Sequence, residues 1–316
     1  MMFVVYINST SQLQLTTHSV LNSPVDVKLG KMLIYGALFC CIDPIVTIAA
    51  SLSSKSPFAT FANDAAVAKA KQRAFADPDS DFLTYVKVWD AYSEAAEVST
   101  SAARRFCNEN YLNYVAMREI GDARRQFLEL LSGIGLLDRN TSRLDSKQLK
   151  SSSYNRNSKK IEVVHAVMAA GLYPNIARLE QTPSLNISLW HKNEQIYFHR
   201  NSVNAAKKRF LSSESWVVFH EKFGTPTRTS VSTTAFVHPF ALLLFGGSVI
   251  VKHTERTVTV DEWMNIGMAA QTGCILKELR KKVDLLLQRM IERVDSNEQL
   301  ISSSSMIDGI VNLLAP

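Results

Sequence analysis

Glycine and cysteine are both scarce in this chain: of 316 residues, 12 are glycine and 4 are cysteine. The glycines build no phosphate-cradling loop. Gly30-Lys31 lacks both the upstream glycine and the following hydroxyl of a GxxxxGK[ST] run. Cys40, Cys41, Cys107 and Cys274 form no CxxC pair and no zinc spacing. A reduced compartment fits such thiols, acting as small apolar groups. The 7 histidines make no HExxH or HxH cluster, and no GxSxG occurs. An Asp-Glu-x-His run is also absent. Asp261-Glu262-Trp263 lacks the histidine and reads as the opening of a helix, where acidic residues complement the dipole. Without these motifs, neither catalytic residues nor a metal or cofactor are expected in the chain by itself.

A membrane span is poorly supported. Met32 to Leu52 is almost continuously apolar, but Asp43-Pro44 sits at its centre. An aspartate is costly in lipid and a proline interrupts the helix, so two buried helices are expected instead. Met1 to Ile7 has no basic flank and too short an apolar run for a signal peptide.

Charge is present and unevenly placed. The net charge is +6. Residues 139–160 carry 7 basic and 1 acidic side chains, and residues 161–260 carry 10 and 6. The flanking segments, 1–138 and 261–316, are each at −2. A polyanion is the natural partner for such a middle, with a solvated loop as the plainer alternative.

Periodicity divides the rest. Residues 1–20 are polar and without clear period. Apolar spacing predicts a helix over Lys31 to Phe39 and a second one capped by Asp43, with Pro44 at its first position. Asp64 to Ala76 is helix-prone, and Asp77 to Asp81 reads as a turn and cap. Phe82, Tyr85, Val86, Trp89 and Tyr92 fall on one helical face. Further helices are expected over Ser101 to Tyr111 and Asp122 to Leu131, the latter closed by Gly133 and Gly135. Residues 139–160, with Ser151-Ser152-Ser153, hold too little apolar area to order themselves and are expected to be a linker. A short helix over Glu162 to Ala170 stops at Gly171. Strands follow: Leu185, Ile187 and Leu189 alternate with polar residues, as do Ile196 with Phe198 and Val217 with Phe219. Val249 to Val260 is β-branched, and Phe236 to Phe245 is an apolar run of undecided type. Short strands over about ninety residues suit a small OB-like barrel. Leu276, Leu279, Val283, Leu286, Met290 and Val294 form a terminal helical stripe, with Lys281, Lys282, Arg289 and Arg293 toward solvent. Ser302 to Ser305 is expected as a gap before a last apolar segment, Met306 to Leu314.

Several phrases carry a family likeness. They are Pro24-Val25-Asp26-Val27-Lys28-Leu29-Gly30-Lys31-Met32-Leu33, Cys41-Ile42-Asp43-Pro44, Thr47-Ile48-Ala49-Ala50 and Lys55-Ser56-Pro57-Phe58. Phe106-Cys107, Asn110-Tyr111-Leu112 and Asp122-Ala123-Arg124-Arg125-Gln126-Phe127 follow. Then come Ala170-Gly171-Leu172-Tyr173-Pro174-Asn175-Ile176-Ala177, His199 with Ser202-Val203-Asn204, and Leu242-Leu243-Leu244-Phe245-Gly246-Gly247. In this order, over about residues 24–314, the chain resembles the C-terminal region of DEAH-box/RHA-type RNA helicases. The Lys-Ser-Pro-Phe form points toward the ribosome-associated and G-quadruplex-resolving branch.

The resemblance implies an α+β multidomain fold. After a poorly matched lead-in (1–20) come a partial winged-helix region (21–61), a helical ratchet domain (62–138), the basic linker (139–160), an OB-fold (161–260) and C-terminal helices (261–316). It implies an RNA-binding accessory module that guides single-stranded or structured RNA for ATP-driven unwinding. ATP and Mg belong to motor lobes whose motifs this chain lacks. Motor lobes and ribonucleoprotein or ribosomal proteins are the implied partners, in the cytoplasm or nucleus. A motor-less interaction scaffold or a pseudo-helicase regulator is the alternative. The RNA contacts expected are His199, Arg200, Asn201, Ser202, Lys207, Lys208 and Arg209, with Arg228, Thr234 and the ratchet Arg124 as weaker candidates. Two positions depart from the family: His199-Arg200-Asn201-Ser202 stands where His-Pro-Ser-Ser is usual, and Val115 where the ratchet often has arginine.

Overall fold

The computed structural model describes residues 4–7, 13–16, 26–59, 65–182, 184, 186–210, 214–225, 228–292 and 300–315. Leu185 and Val294, expected in a strand and a helix, lie outside them. Within the lead-in, β1 (Val4–Ile7) and β2 (Leu13–Thr16) pair antiparallel.

The helical part begins with α1 (Val27–Leu38) and α2 (Ile42–Ser53), each buried on nearly every side. A helix apolar all round belongs in a core, and these two are packed inside the protein. Among the described residues no helix is long and apolar enough to cross a membrane. The expected cap of α2 is corrected. Cys41 holds the N-cap position, and Asp43 lies inside the first turn with its side chain buried. Then come α3 (Ala65–Arg73), α4 (Asp81–Val98), α5 (Thr100–Glu109) and α6 (Tyr114–Gly133). Ser80 caps α4 by accepting from the Leu83 N–H, Ser99 caps α5, and Asn113 caps α6. The stripe Phe82, Val86, Trp89 and Tyr92 packs into the main core.

Residues 139–160 are not a disordered linker. Two 3-10 turns flank α7 (Ser146–Ser151), whose N-terminus carries an Asp145–Gln148 capping box. Leu149, Asn155 and Asn157 are buried. Asn155 Oδ1 accepts from the Asp43 N–H at 2.7 Å, and Asn157 Nδ2 donates to the Phe39 carbonyl at 2.9 Å. Buried amides that satisfy backbone groups order this segment where apolar area would not. Three of its cations are also occupied: Lys147 by Glu97, Lys150 by Asp90 and Arg156 by Asp308.

Helix α8 (Ile161–Leu172) runs through Gly171 rather than stopping there. The glycine allows α8 to cross α1: a Cβ on it would sit 2.5 Å from Met32 Cβ and 2.9 Å from Met32 Cα. Strands β3 (Ile176–Gln181), β4 (Ile187–His191), β5 (Glu194–Phe198), β6 (Glu214–Thr225) and β7 (Arg228–Val237) close a barrel in the order β3-β4-β5-β7-β6. All pairs are antiparallel except β5–β7. This is the five-stranded OB topology. Ala177, Leu179, Leu189, Ile196, Val217, Phe219 and Val231 fill its interior.

The apolar run after the barrel is the end of β7 followed by α9 (Pro239–Phe245), capped by His238. Strands β8 (Val249–Lys252), β9 (Thr257–Val260) and β10 (Met264–Gly267) form a separate three-stranded sheet, so residues 249–260 do not join the barrel. Asp261 and Glu262 do not open a helix. Both have positive φ (48° and 66°) in the turn joining β9 to β10, a conformation that matches the twist of a tight hairpin. The Asp261 carboxylate accepts from the Ser248 N–H at 2.7 Å and from the Tyr173 hydroxyl. Helices α10 (Ala270–Glu292) and α11 (Leu300–Leu314) finish the chain, and the backbone of the Ser302–Ser305 run is helical within α11. On α10, Leu276, Val283 and Leu287 are buried while Lys281 and Lys282 are exposed.

Candidate nucleic-acid interface

The loop after β5 was expected to hold RNA contacts from His199 to Arg209. The structure divides these residues into two groups facing different ways. One group docks the barrel onto the ratchet helices. Asp81, at the first turn of α4, accepts from the Ser202 hydroxyl at 2.7 Å and from the Val203 N–H at 2.8 Å. It also accepts from the Thr234 N–H at 2.8 Å. Ser202 Oγ and Thr234 Oγ1 lie 2.9 Å apart, and Asn204 Nδ2 donates to Thr234 Oγ1 at 2.9 Å. Lys207 pairs with Asp79, its ammonium lying 5.3 Å from the centre of the Phe236 ring. Ser202 and Thr234 are buried. Both, expected as RNA contacts, serve in this structure as parts of a domain clamp.

Arg124, also expected as an RNA contact, is likewise engaged within the protein. It is 5% exposed. Its Nη2 donates to Asp43 Oδ1 at 2.7 Å, its Nη1 to the Asp43 carbonyl at 3.1 Å and to Thr47 Oγ1. The guanidinium also lies 4.8 Å from the centre of the Trp89 ring. Both Nη nitrogens and one face of the guanidinium are thus engaged inside the helical core.

The second group faces outward at one end of the barrel. His199 is half-buried and meets the exposed Phe223 ring edge-on, with centroids 5.1 Å apart. Phe223 belongs to the outer half of the β6–β7 hairpin, where residues 221–224 are exposed. Arg228, at the start of β7, lies 4.3 Å over the ring of Tyr197, which is itself exposed on β5. Arg200, Asn201, Lys208 and Arg209 are exposed along the loop. The loop is held by its own turns, with the Ser202 N–H donating to the His199 carbonyl at 2.9 Å and the Ala205 N–H to the Ser202 carbonyl at 3.1 Å. Cations interleaved with aromatic rings at the surface suit a single strand, whose phosphates and base faces need both.

Sequence reasoning missed Tyr197 and Phe223 on this face, and Asp79 and Asp81 in the clamp. Tyr197 had a signal: an aromatic between the inward Ile196 and Phe198 must point outward. Asp81 had none beyond its place at a helix start. Among the described residues no cluster of His, Cys, Asp and Glu could hold a metal ion.

Comparison with known proteins agrees with this architecture. Residues 26–85 match the helicase associated domain (HA2), ratchet-like, and residues 164–250 match the oligonucleotide/oligosaccharide-binding (OB)-fold. The ratchet match includes the α1–α2 region that was expected to be part of a winged helix. The chain is 32% identical over 305 residues to human ATP-dependent DNA/RNA helicase DHX36, covering 92% of this chain and 29% of the relative. Against the Arabidopsis thaliana DExH-box ATP-dependent RNA helicase DExH4, chloroplastic, identity is 32% over 328 residues, covering 94% and 23%. Against human ATP-dependent RNA helicase DHX29 it is 30% over 276 residues, covering 85% and 20%. The chain corresponds to the C-terminal ratchet and OB-fold region of DEAH-box helicases. It spans less than a third of the length of these relatives. As a helicase accessory module it joins a ratchet bundle to an OB barrel through the Asp81 clamp.

Proposed function

We propose that this module binds single-stranded RNA and guides it for ATP-driven motor lobes of the helicase family. The observation that carries the reading is the outward end of the barrel, where His199 meets Phe223 and Arg228 lies over Tyr197. Arg200 and Asn201 on the adjoining loop are exposed and supply donors for phosphate. Rings stack on bases of any identity while cations follow the backbone, which suits a strand that must move. The ordered 139–160 segment contributes less than its composition suggests, since three of its seven cations are held by acids. ATP and Mg are assigned to the motor lobes, and the chain alone is expected to show no RNA-stimulated ATP hydrolysis.

The test is RNA binding by the purified chain over a range of salt. Each phosphate neutralised contributes about −0.7 to the slope of log affinity on log salt for single strands. Arg200→Glu with Phe223→Ala should weaken binding and flatten that slope, in a variant whose circular dichroism matches the parent. No binding, or binding indifferent to salt, would instead favour an interaction scaffold.

A further inference from the structure

The barrel carries a small groove beside the outward face just described. It offers about 170 Å³ and is lined by Ile187, Tyr197, Phe198, Asn204, Lys207, Phe210 and Arg228 among others. Drug-sized ligands and cofactors fill pockets of roughly 300–1,000 Å³, so this one suits a single planar ring system. Its floor is aromatic: the Phe198 and Phe210 rings are 6.4 Å apart, and Phe210 continues to Phe236 at 5.4 Å.

The charges around the groove already have company. The Lys207 ammonium is held by Asp79 and lies over Phe210 and Phe236, so its charge is already partnered. The Arg228 guanidinium lies over Tyr197. A phosphate would therefore find little uncommitted positive charge, whereas a neutral aromatic ring meets rings and a flat guanidinium. Polar capacity is left over in one form. Asn204 is 1% exposed, and its Nδ2 is committed to the Asp79 carbonyl and Thr234 Oγ1, which fixes how the amide is turned. Its Oδ1 is buried with no partner. A buried acceptor left unpaired is costly, and a ligand N–H would relieve it.

We propose that this groove is a nucleobase subsite. It takes one unstacked base of a bound single strand, which lies against Tyr197 and the aromatic floor and donates an N–H to Asn204 Oδ1. The inference rests on the RNA-binding reading above and adds to it a place where a base, rather than the backbone, is held. Stacking of a base on an aromatic side chain together with a hydrogen bond to its edge is how single-stranded RNA is held by side chains.

The experiment compares an oligoribonucleotide of about ten residues, within the span of an OB fold, with the same backbone carrying abasic riboses. Both are titrated against the full chain and against Tyr197→Ala, a substitution at an exposed position that leaves the Asp81 clamp intact. The base-bearing strand is expected to bind the parent about tenfold more tightly than the abasic one, and Tyr197→Ala to remove most of that difference. As a second readout, the Asn204 side-chain amide resonances should move on adding base-bearing RNA and stay in place with abasic RNA. Equal binding of the two strands with salt dependence retained would overturn the subsite while leaving the RNA-guiding function standing. Failure of both strands to bind would overturn the function itself.

Discussion

The Thr234 N–H, on the last barrel strand, donates to the Asp81 carboxylate at the first turn of α4 over 2.8 Å, and the Thr234 hydroxyl approaches the same oxygen at 3.2 Å. With Ser202 and Val203 also donating to Asp81, one ratchet carboxylate collects donors from two separate barrel segments. Residues 121 and 153 positions away are thereby fixed to one helix end. Asp81→Ala leaves buried donors unpaired, and hydrogen bonds to a charged group contribute about 1.5–3 kcal/mol each. The expected loss is about 3 kcal/mol after relaxation and water entry, read from urea unfolding. Asp81→Asn should lose less, because an amide oxygen still accepts. An Asp81→Ala variant as stable as the parent would show that the barrel is held by apolar contacts alone.

Helical faces were legible because one buried side leaves a period in the sequence, as along Phe82, Trp89 and Tyr92 on α4. The barrel strands were legible where one face is apolar, as at Ile196 and Phe198. Other features turn on pairings between distant residues, which leave no local period. Asp261-Glu262 has the composition of a helix start, but its positive φ values serve a hairpin. The 139–160 segment reads as a charged linker because composition does not count Asn155 and Asn157 bonding to α1 and α2. The same blindness affected the candidate site. Ser202, Thr234 and Arg124 are polar and well placed by motif, yet each is engaged by an aspartate that lies far away in sequence.

Gly171 has a sharp steric consequence. A methyl group there would meet the Cβ and Cα of Met32 at distances that backbone movement alone can relieve. Overpacking of this kind costs about 1–3 kcal/mol, occasionally more. Gly171→Ala is expected at the upper end, seen as a lowered urea midpoint. Gly133→Ala, at the last residue of α6, is the control, since nothing lies within 4 Å of its added carbon. Comparable losses at both positions would rule out the close crossing as the reason for glycine.

Histidine burial sets an acid limit on stability. His165 is held down to about 4 by burial. His191, His220 and His238 are also lowered, with burial the leading cause in each. These groups stay neutral in the folded chain below the pH at which the unfolded chain takes up protons, near 6.5. Their contribution is therefore complete above about pH 6.5 and is lost as pH falls toward 4, at up to about 1.4 kcal/mol per pH unit for each histidine. Asp90 and Asp284, raised by burial, oppose this trend toward its acid end. Urea midpoints should fall between pH 7 and pH 5, and His165→Gln should reduce that fall. A flat profile would mean that the imidazoles gain protons without unfolding.

Arg124 and Asp43 give the clearest separation of a structural role from an RNA contact. The pair is buried, with side chains 6% and 5% exposed. Replacing one partner strands the other charge, which typically costs about 3–5 kcal/mol. Arg124→Met should therefore destabilise the helical core strongly. Removing both charges removes the stranded ion, so Arg124→Met with Asp43→Asn should recover a large part of the loss. The recovered double variant should bind single-stranded RNA with the affinity and salt slope of the parent, because the guanidinium never reaches the surface. Recovery of stability without recovery of binding would return Arg124 to the list of RNA contacts and require the helices around Asp43 to open when the strand is bound.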